Sequence, residues 1–361
     1  MNRYYLLMKG TANLMDNSGF TGFVKKNWFG LISIGISLTA LAVYLMGAGG
    51  VKALFSGVSG INKRWLTVMI VCMLLFWFTD GLVLHVFVRM KYKSHTLAKS
   101  IKTTMIGLLY NNLTPFGSGG QPIQVYDMTR DSVGAGDAAS YITVKTLLYQ
   151  MCLTVYAIAV LAFTYGFFKD HIPQFAHLLW VAAGINTLLS AAVCAIALNK
   201  AASKKIADAA VKLLSKIRVL KNRDKIAGSL TKHIALFNES FILIFQKKNR
   251  LILGSVLTVL QQTFYYCLPY CIYRSFNMTG DSFALILGSQ AILSLLMAFV
   301  PIPGGSGAAE SGFYVFFTLF FPDGVIMPAM FIWRFLTYYS TIIVGGAVSF
   351  YDSHKKGQRE N

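Results

Sequence analysis

Asn111-Asn112-Leu113-Thr114-Pro115-Phe116-Gly117-Ser118-Gly119-Gly120-Gln121-Pro122 interrupts an apolar arm that begins at Ile101 and, as a helix, is only about half a bilayer long. A helix does not continue through Pro115 and the glycines after it. Backbone that leaves the helix at membrane depth needs protein or a watery cavity to satisfy its N–H and C=O groups, so this stretch is expected inside a bundle. A second stretch has the same character. Pro301-Ile302-Pro303-Gly304-Gly305-Ser306-Gly307-Ala308-Ala309-Glu310-Ser311-Gly312 lies between apolar arms at Phe283 to Val300 and Phe313 to Phe321. Both carry a Pro followed by a Gly-Gly pair.

Six longer apolar runs surround the two breaks: Trp28 to Gly47, Trp65 to Val88, Ala138 to Phe168, Leu178 to Leu198, Leu251 to Tyr273 and Val325 to Phe350. Each is long enough to cross a hydrocarbon layer about 30 Å thick with some tilt. Hydrophobic residues make up 55% of the chain and charged ones 13%, against roughly a quarter charged in soluble domains, so most of the surface is expected to face lipid. The fold class that follows is all-α. It is a polytopic membrane helix bundle of six to eight crossings, with two Pro/Gly-broken helices, re-entrant or discontinuous, in an inverted repeat. Residues 1–361 read as a single transmembrane domain. Residues 1–27 hold no apolar core, so a cleavable signal peptide is not expected and the run from Trp28 is expected to remain as the first helix.

Lysine and arginine set the orientation. Lys25 and Lys26, then Arg89, Lys91, Lys93, Lys99 and Lys102, then Lys355, Lys356 and Arg359 put both termini on the cytoplasmic side of the cell membrane. Lys52, Lys63 and Arg64 oppose this more weakly. With an even number of crossings the first break is entered from the cytoplasm and the second from outside, the plan of inverted transporter repeats whose broken helices meet near the midplane.

The net charge of +19 has its main source between Lys200 and Arg250, where thirteen Lys and Arg stand against three acids, a net +10. Ile206, Ala210, Leu213, Ile217 and Leu220, then Leu230, Ile234, Phe237, Phe241 and Phe245, recur there at helical spacing. Residues 200–250 therefore read as a basic, cytoplasmic, amphipathic hairpin resting on anionic phospholipid of the inner leaflet. No basic motif there is interleaved with aromatics, so nucleic acid is not an expected partner. Neither glycine-rich stretch runs into Gly-Lys-Ser or Gly-Lys-Thr, so neither is a nucleotide phosphate loop. The five cysteines, Cys72, Cys152, Cys194, Cys267 and Cys271, fall in apolar runs without metal-ligand spacing, and no metal or other cofactor is expected.

Asp80, Lys145, Glu310 and Arg334 stand within or beside the apolar runs, where an ionisable group costs at least about 2.5 to 3.5 kcal/mol unless paired or hydrated. Two of each sign admit two readings. In one, interhelical ion pairs hold the bundle together. In the other, Arg334 and Lys145 meet a lipid phosphate while Asp80 and Glu310 meet a cationic headgroup. Glu310 lies in the first turn after the second break, where the helix dipole favours a carboxylate. Asn112, Gln121, Gly119, Gly120, Gly304 and Gly305 supply the polar surface of the breaks and complete the candidate substrate-binding set; no catalytic set is expected. Gln261, Gln262 and Gln290 suit a polar path or interhelical hydrogen bonds equally. His85 and His95 read as interfacial, and Trp65, Trp180, Tyr338 and Tyr339 as belt or packing residues.

The Asn-x-Thr-Pro-x-Gly-x-Gly-Gly run from Asn112 to Gly120 and the Pro-x-Pro-Gly-Gly-x-Gly-x-x-Glu run from Pro301 to Glu310 resemble the membrane domain of lysylphosphatidylglycerol synthases, which also occurs alone as a flippase-like family. The resemblance follows nearly the whole chain in span order. It implies movement of an aminoacylated phospholipid such as lysylphosphatidylglycerol to the outer leaflet, and in two-part members a separate cytosolic acetyltransferase-like domain makes that lipid from aminoacyl-tRNA. Up to Asn361 no segment has the size of that domain, so synthesis is not expected of this sequence. The expected function is a flippase or translocase for a charged-headgroup phospholipid or a glycolipid. The alternatives are a phosphatidylglycerol lysyltransferase, another lipid-modifying membrane enzyme, or an accessory subunit of a separate synthase. Expected partners are membrane lipids, with a homo-oligomer and that separate synthase left open.

Overall fold

The computed structural model describes residues 60–199, 201–203 and 223–360, with positions 35, 39, 205 and 209 besides. The expected run from Trp28 to Gly47, Gly35 and Thr39 apart, and the apolar positions from Ile206 to Leu220 lie outside the described residues. Among the described residues every regular element is helical. In chain order these are α1 (Lys63–Val88), α2 (Leu97–Leu113), α3 (Gly120–Arg130), α4 (Ala135–His171), α5 (Pro173–Leu198), α6 (Arg223–Gln246), α7 (Lys248–Tyr266), α8 (Leu268–Ser275), α9 (Phe283–Met297), α10 (Ala308–Phe317), α11 (Asp323–Arg334) and α12 (Ser340–Glu360).

Among the described residues five segments are long and apolar enough to cross a membrane: α1, α4, most of α5, α7 with α8, and α11 with the first part of α12. They coincide with the five expected runs that fall within the described residues. Local chemistry starts and joins them. Asn62 Oδ1 accepts the Arg64 N–H at 3.1 Å to cap α1, and Thr96 Oγ1 caps α2 by accepting from Lys99. A π turn, Phe335–Tyr339, joins α11 to α12 immediately after Arg334. Its extra residue shifts the face that follows, a device frequent at functional sites. Apolar side chains such as Phe163, Leu188 and Ile252 are exposed on the crossing helices, as lipid-facing residues are.

The two broken stretches fold as re-entrant hairpins. α2 packs back on α3, α9 on α10, and the turns between their arms lie against each other. The hairpins enter from opposite ends of the bundle. Lys102, near the start of α2, pairs with Asp131 after α3 and Asp352 of α12. Phe283, at the start of α9, packs edge-on against Tyr270 of α8, and the end of α8 meets the start of α1 through Asn62 N–H to Ser275 O at 2.8 Å. α1 runs from that end to the other, where Lys91 binds Asp137.

Apolar packing fixes this frame. Phe313 stacks on Phe317 and Trp333, joining α10 to α11, while Val83, Leu84, Tyr141, Phe241 and Ile244 form a core between α1, α4 and α6. That second core revises one expectation. The stripe Phe237, Phe241, Phe245 was expected against lipid, yet Phe241 is fully buried and packs on the bundle. Polar anchoring explains it: Ser240 Oγ donates to Asp137 at the start of α4, and Lys91 Nζ and Tyr92 Oη donate to the same carboxylate at 2.8 and 2.5 Å. With α6 held there, its apolar stripe is covered by protein.

Candidate functional site

The hairpin tips share one turn. In the first, Gly117 N–H donates to Thr114 O at 3.2 Å and Ser118 N–H to Pro115 O at 3.1 Å; in the second, Gly305 N–H donates to Ile302 O at 2.9 Å and Ser306 N–H to Pro303 O at 3.3 Å. Each Pro is followed by two left-handed residues, Phe116 (φ 54°) and Gly117 (φ 62°) in one, Gly304 (φ 60°) and Gly305 (φ 62°) in the other. The equivalent segments are therefore Pro115-Phe116-Gly117 and Pro303-Gly304-Gly305; beyond them the chains diverge, at Ser118 (ψ −17°) against Ser306 (ψ 132°) and at Gly119 (φ −81°) against Gly307 (φ 85°). The Gly-Gly pairs that both stretches carry do not coincide in this turn: conformation pairs residues by their place after the proline, and Phe116 stands where the second tip has Gly304.

Where the tips meet lies a cavity of about 300 Å³. Asn111, Asn112, Phe116 and Gly117 come to it from the first hairpin, and Gln290, Ile302, Gly304 and Gly305 from the second. Arg334, Trp333 and Tyr338 close it from α11 and the π turn, and Tyr149 and Tyr265 from α4 and α7. Phe116 and Ile302 are also exposed, so the rim is apolar, while the wall sets Asn111, Asn112, Gln290 and Arg334 among apolar residues such as Leu293 and Met297.

Arg334 is held from three directions. Its Nε donates to Glu310 Oε1 at 2.7 Å, its Nη2 donates to Gly304 O at 2.7 Å, and the guanidinium lies over the Tyr338 ring with Cζ 4.3 Å from the centroid. Glu310 is fully buried, and its other oxygen accepts the Gly307 N–H at 2.7 Å, at the N-terminus of α10. The cation thus braces the second tip by gripping its carbonyl and the carboxylate that caps the next helix. Gly304 is required twice over: a side chain at its positive φ is strained, and a Cβ would stand 2.1 Å from the Tyr338 ring.

A scan against protein-family models matches residues 30–345 to the lysylphosphatidylglycerol synthase TM region. The chain belongs to that family. A UPF0104 membrane protein of Archaeoglobus fulgidus is 24% identical to it over 299 residues, 79% of this chain and 86% of the relative. The expected resemblance is thereby borne out, and with it a multi-pass membrane protein with a lipid-related role. Within this TM-region fold, both hairpin tips and the Arg334–Glu310 pair fall inside the matched residues.

The expected site residues divide into three groups. Asn112, Gly304, Gly305 and Arg334 line the cavity, with Glu310 directly behind Arg334. Asp80 and Lys145 form a second interhelical ion pair at 2.8 Å, with Lys145 Nζ also donating to Thr104 Oγ1 at 3.4 Å, and neither lines the cavity. Gly119, Gly120 and Gln121 are not on its wall either. Gly119 donates its N–H to Thr114 Oγ1 at 2.8 Å, and a Cβ on Gly120 would stand 2.0 Å from Asn111 Oδ1, so these glycines serve close packing within the first hairpin. Gln261 and Gln262 are buried, and Gln262 Nε2 donates to Tyr149 O at 2.7 Å, the interhelical role rather than the path. Tyr338 is buried, a packing residue and not a belt residue, while Trp180 is exposed.

Sequence reading missed Trp333, Tyr149 and Tyr265 as cavity residues. Aromatics in apolar spans carry no signal that separates core from cavity; only Trp333, next to a mid-span arginine, offered one. It also missed the ion cluster at the end where Lys102 meets Asp127, Asp131 and Asp352 at 2.9, 3.1 and 3.2 Å. At that end His95 is buried against Ser100, and burial pushes its imidazole down to about 4, so it is neutral near pH 7. Lys91 is held above the usual lysine range by its hydrogen bond to Asp137.

Proposed function

We propose that this chain is a lipid translocase of the cell membrane, moving a phospholipid or glycolipid whose phosphate-bearing headgroup passes through the cavity between the two hairpin tips. The observation that carries the reading is the meeting of two oppositely entered hairpins around a cavity with Arg334, Asn112 and Gln290 on its wall and exposed Phe116 and Ile302 at its rim. A headgroup needs those polar side chains, and acyl chains need the apolar rim. A free guanidinium N–H on the wall suits a phosphate oxygen.

The termini are cytoplasmic in this reading. Lys91, Lys93, Lys99 and Lys102 share one end of the bundle with Lys248 and Arg250 at the start of α7, as the positive-inside tendency requires. The test is reconstitution into vesicles with a headgroup-labelled phospholipid and a membrane-impermeant quencher. The protein is expected to expose inner-leaflet label to the quencher. The double variant Arg334→Gln with Glu310→Gln, which removes both charges together, is expected to abolish that exposure. Full exposure by a folded double variant would end the assignment of these residues, and no exposure by the unaltered chain would end the translocase reading.

A further inference from the structure

Gln290 of α9 and Trp333 of α11 both line the cavity, and each holds a polar atom with no partner among the described residues: an acceptor, Gln290 Oε1, and a donor, Trp333 Nε1. Gln290 is 1% exposed and Trp333 3%, so bulk water does not reach them freely. Ser294 Oγ donates to the Gln290 main-chain carbonyl at 2.9 Å and accepts from the Gln290 NH2 at 3.3 Å, the arrangement that leaves Oε1 open.

Charge narrows the occupant. Arg334 is the charged side chain on the cavity wall, and no carboxylate lines it among the described residues. The Arg334 Nη1 has no hydrogen-bond partner among those residues, while both oxygens of Glu310 are engaged, by Arg334 and by Gly307. An incoming ammonium would meet a guanidinium and no uncommitted carboxylate, and it brings donors only, so Trp333 Nε1 would stay open. A bare phosphate monoester, held as the dianion beside the guanidinium, accepts strongly at Arg334 but brings no donor to Gln290 Oε1. A hydroxyl both donates and accepts, and so serves both atoms.

We propose that the cavity takes a phosphodiester lipid whose headgroup is uncharged and hydroxyl-bearing, of the glycerol or sugar kind, with its phosphate at Arg334 Nη1 and its hydroxyls on Gln290 Oε1 and Trp333 Nε1. The assignment rests on the translocase reading for the lipid nature of the ligand, and it departs from the lysyl headgroup that the family description suggests. Binding alone tests it. The full-length protein in detergent micelles is equilibrated with fluorescent phosphatidylglycerol, and the competitors are unlabelled phosphatidylglycerol, phosphatidic acid, lysylphosphatidylglycerol and free glycerol 3-phosphate.

Phosphatidylglycerol is expected to displace the probe at concentrations about tenfold below those of phosphatidic acid and lysylphosphatidylglycerol, with glycerol 3-phosphate inactive. Gln290→Leu and Trp333→Phe are each expected to weaken phosphatidylglycerol about tenfold and leave phosphatidic acid unchanged. Trp333→Phe keeps an aromatic ring against Phe313, 4.9 Å away, so it remains informative if the Gln290 variant fails to fold. Lysylphosphatidylglycerol binding as tightly as phosphatidylglycerol overturns the proposal, as does displacement by free glycerol 3-phosphate. Variants that leave phosphatidylglycerol unaffected, or weaken both anionic lipids alike, overturn it too. Should vesicles register no translocation while this order of affinities holds, the transport reading falls and the headgroup assignment stands; translocation with the reverse order removes the assignment alone.

Discussion

The two hairpin tips have the same turn and opposite means of holding it. Four residues after the turn's proline, the first tip satisfies the Gly119 N–H with the neutral hydroxyl of Thr114, at 2.8 Å; the second satisfies the Gly307 N–H with the carboxylate of Glu310, at 2.7 Å. The half-buried Thr114 hydroxyl needs nothing more, whereas a buried carboxylate needs a cation. The second tip therefore imports Arg334, and the same arginine takes hold of the Gly304 carbonyl and borders the cavity. One side of the cavity wall is thus a neutral hydrogen-bonded turn and the other a charged brace, so a substrate charge registers mainly on the second side.

The largest expected effect separates those two braces. Arg334→Met leaves Glu310 buried without its partner and is expected to cost about 3–5 kcal/mol, read as a loss of thermal stability in detergent. Adding Glu310→Gln should recover much of that loss. Equal instability of the single and double variants would mean that the pair is not the brace described here. Gly304→Ala comes next, at about 2–4 kcal/mol, because it joins left-handed strain to a collision with the Tyr338 ring.

Thr114→Val is expected to cost about 1 kcal/mol, the loss of one side-chain acceptor for a main-chain N–H. A cost as large as that of Arg334→Met would erase the contrast between the tips. The smallest effect has the opposite sign. Phe116→Gly puts a residue suited to positive φ where the second tip already has one, and is expected to stabilise the protein by about 0.5–1 kcal/mol while slowing lipid entry, because Phe116 stands exposed at the rim. Stabilisation with unchanged transport would leave its strained aromatic without a role at the entrance.

Much of the fold was legible because it depends on local composition. Runs of apolar residues of bilayer length announced the crossings, and Pro115 and Pro303 with their glycines announced the breaks, since no partner elsewhere in the chain lets a helix run through them. The candidate site was legible only in part. Arg334 and Glu310 stood out by charge, and Asn112, Gly304 and Gly305 by position, but Gly119, Gly120 and Gln121 had the same look and turned out to pack the first hairpin. The register between the tips was not legible, because the Gly-Gly pairs stand at different places in the two turns while the backbone counts from the proline. A phenylalanine in the left-handed region hides the equivalence, for residue type alone argues against it.

By itself the amino-acid sequence determined an all-helical membrane chain with two irregular segments that must be sheltered, because hydrophobic length and backbone satisfaction in lipid are properties of each segment taken alone. Tertiary structure decided who meets whom. Arg334 and Glu310 are 24 residues apart and on different helices, and Lys145 and Asp80 pair across two others; with two acids and two bases, either exchange of partners was open to the sequence. Which side chains face one another depends on the rotation and offset of neighbouring helices, and those are set by the packing of residues such as Phe313 on Trp333, far from any motif.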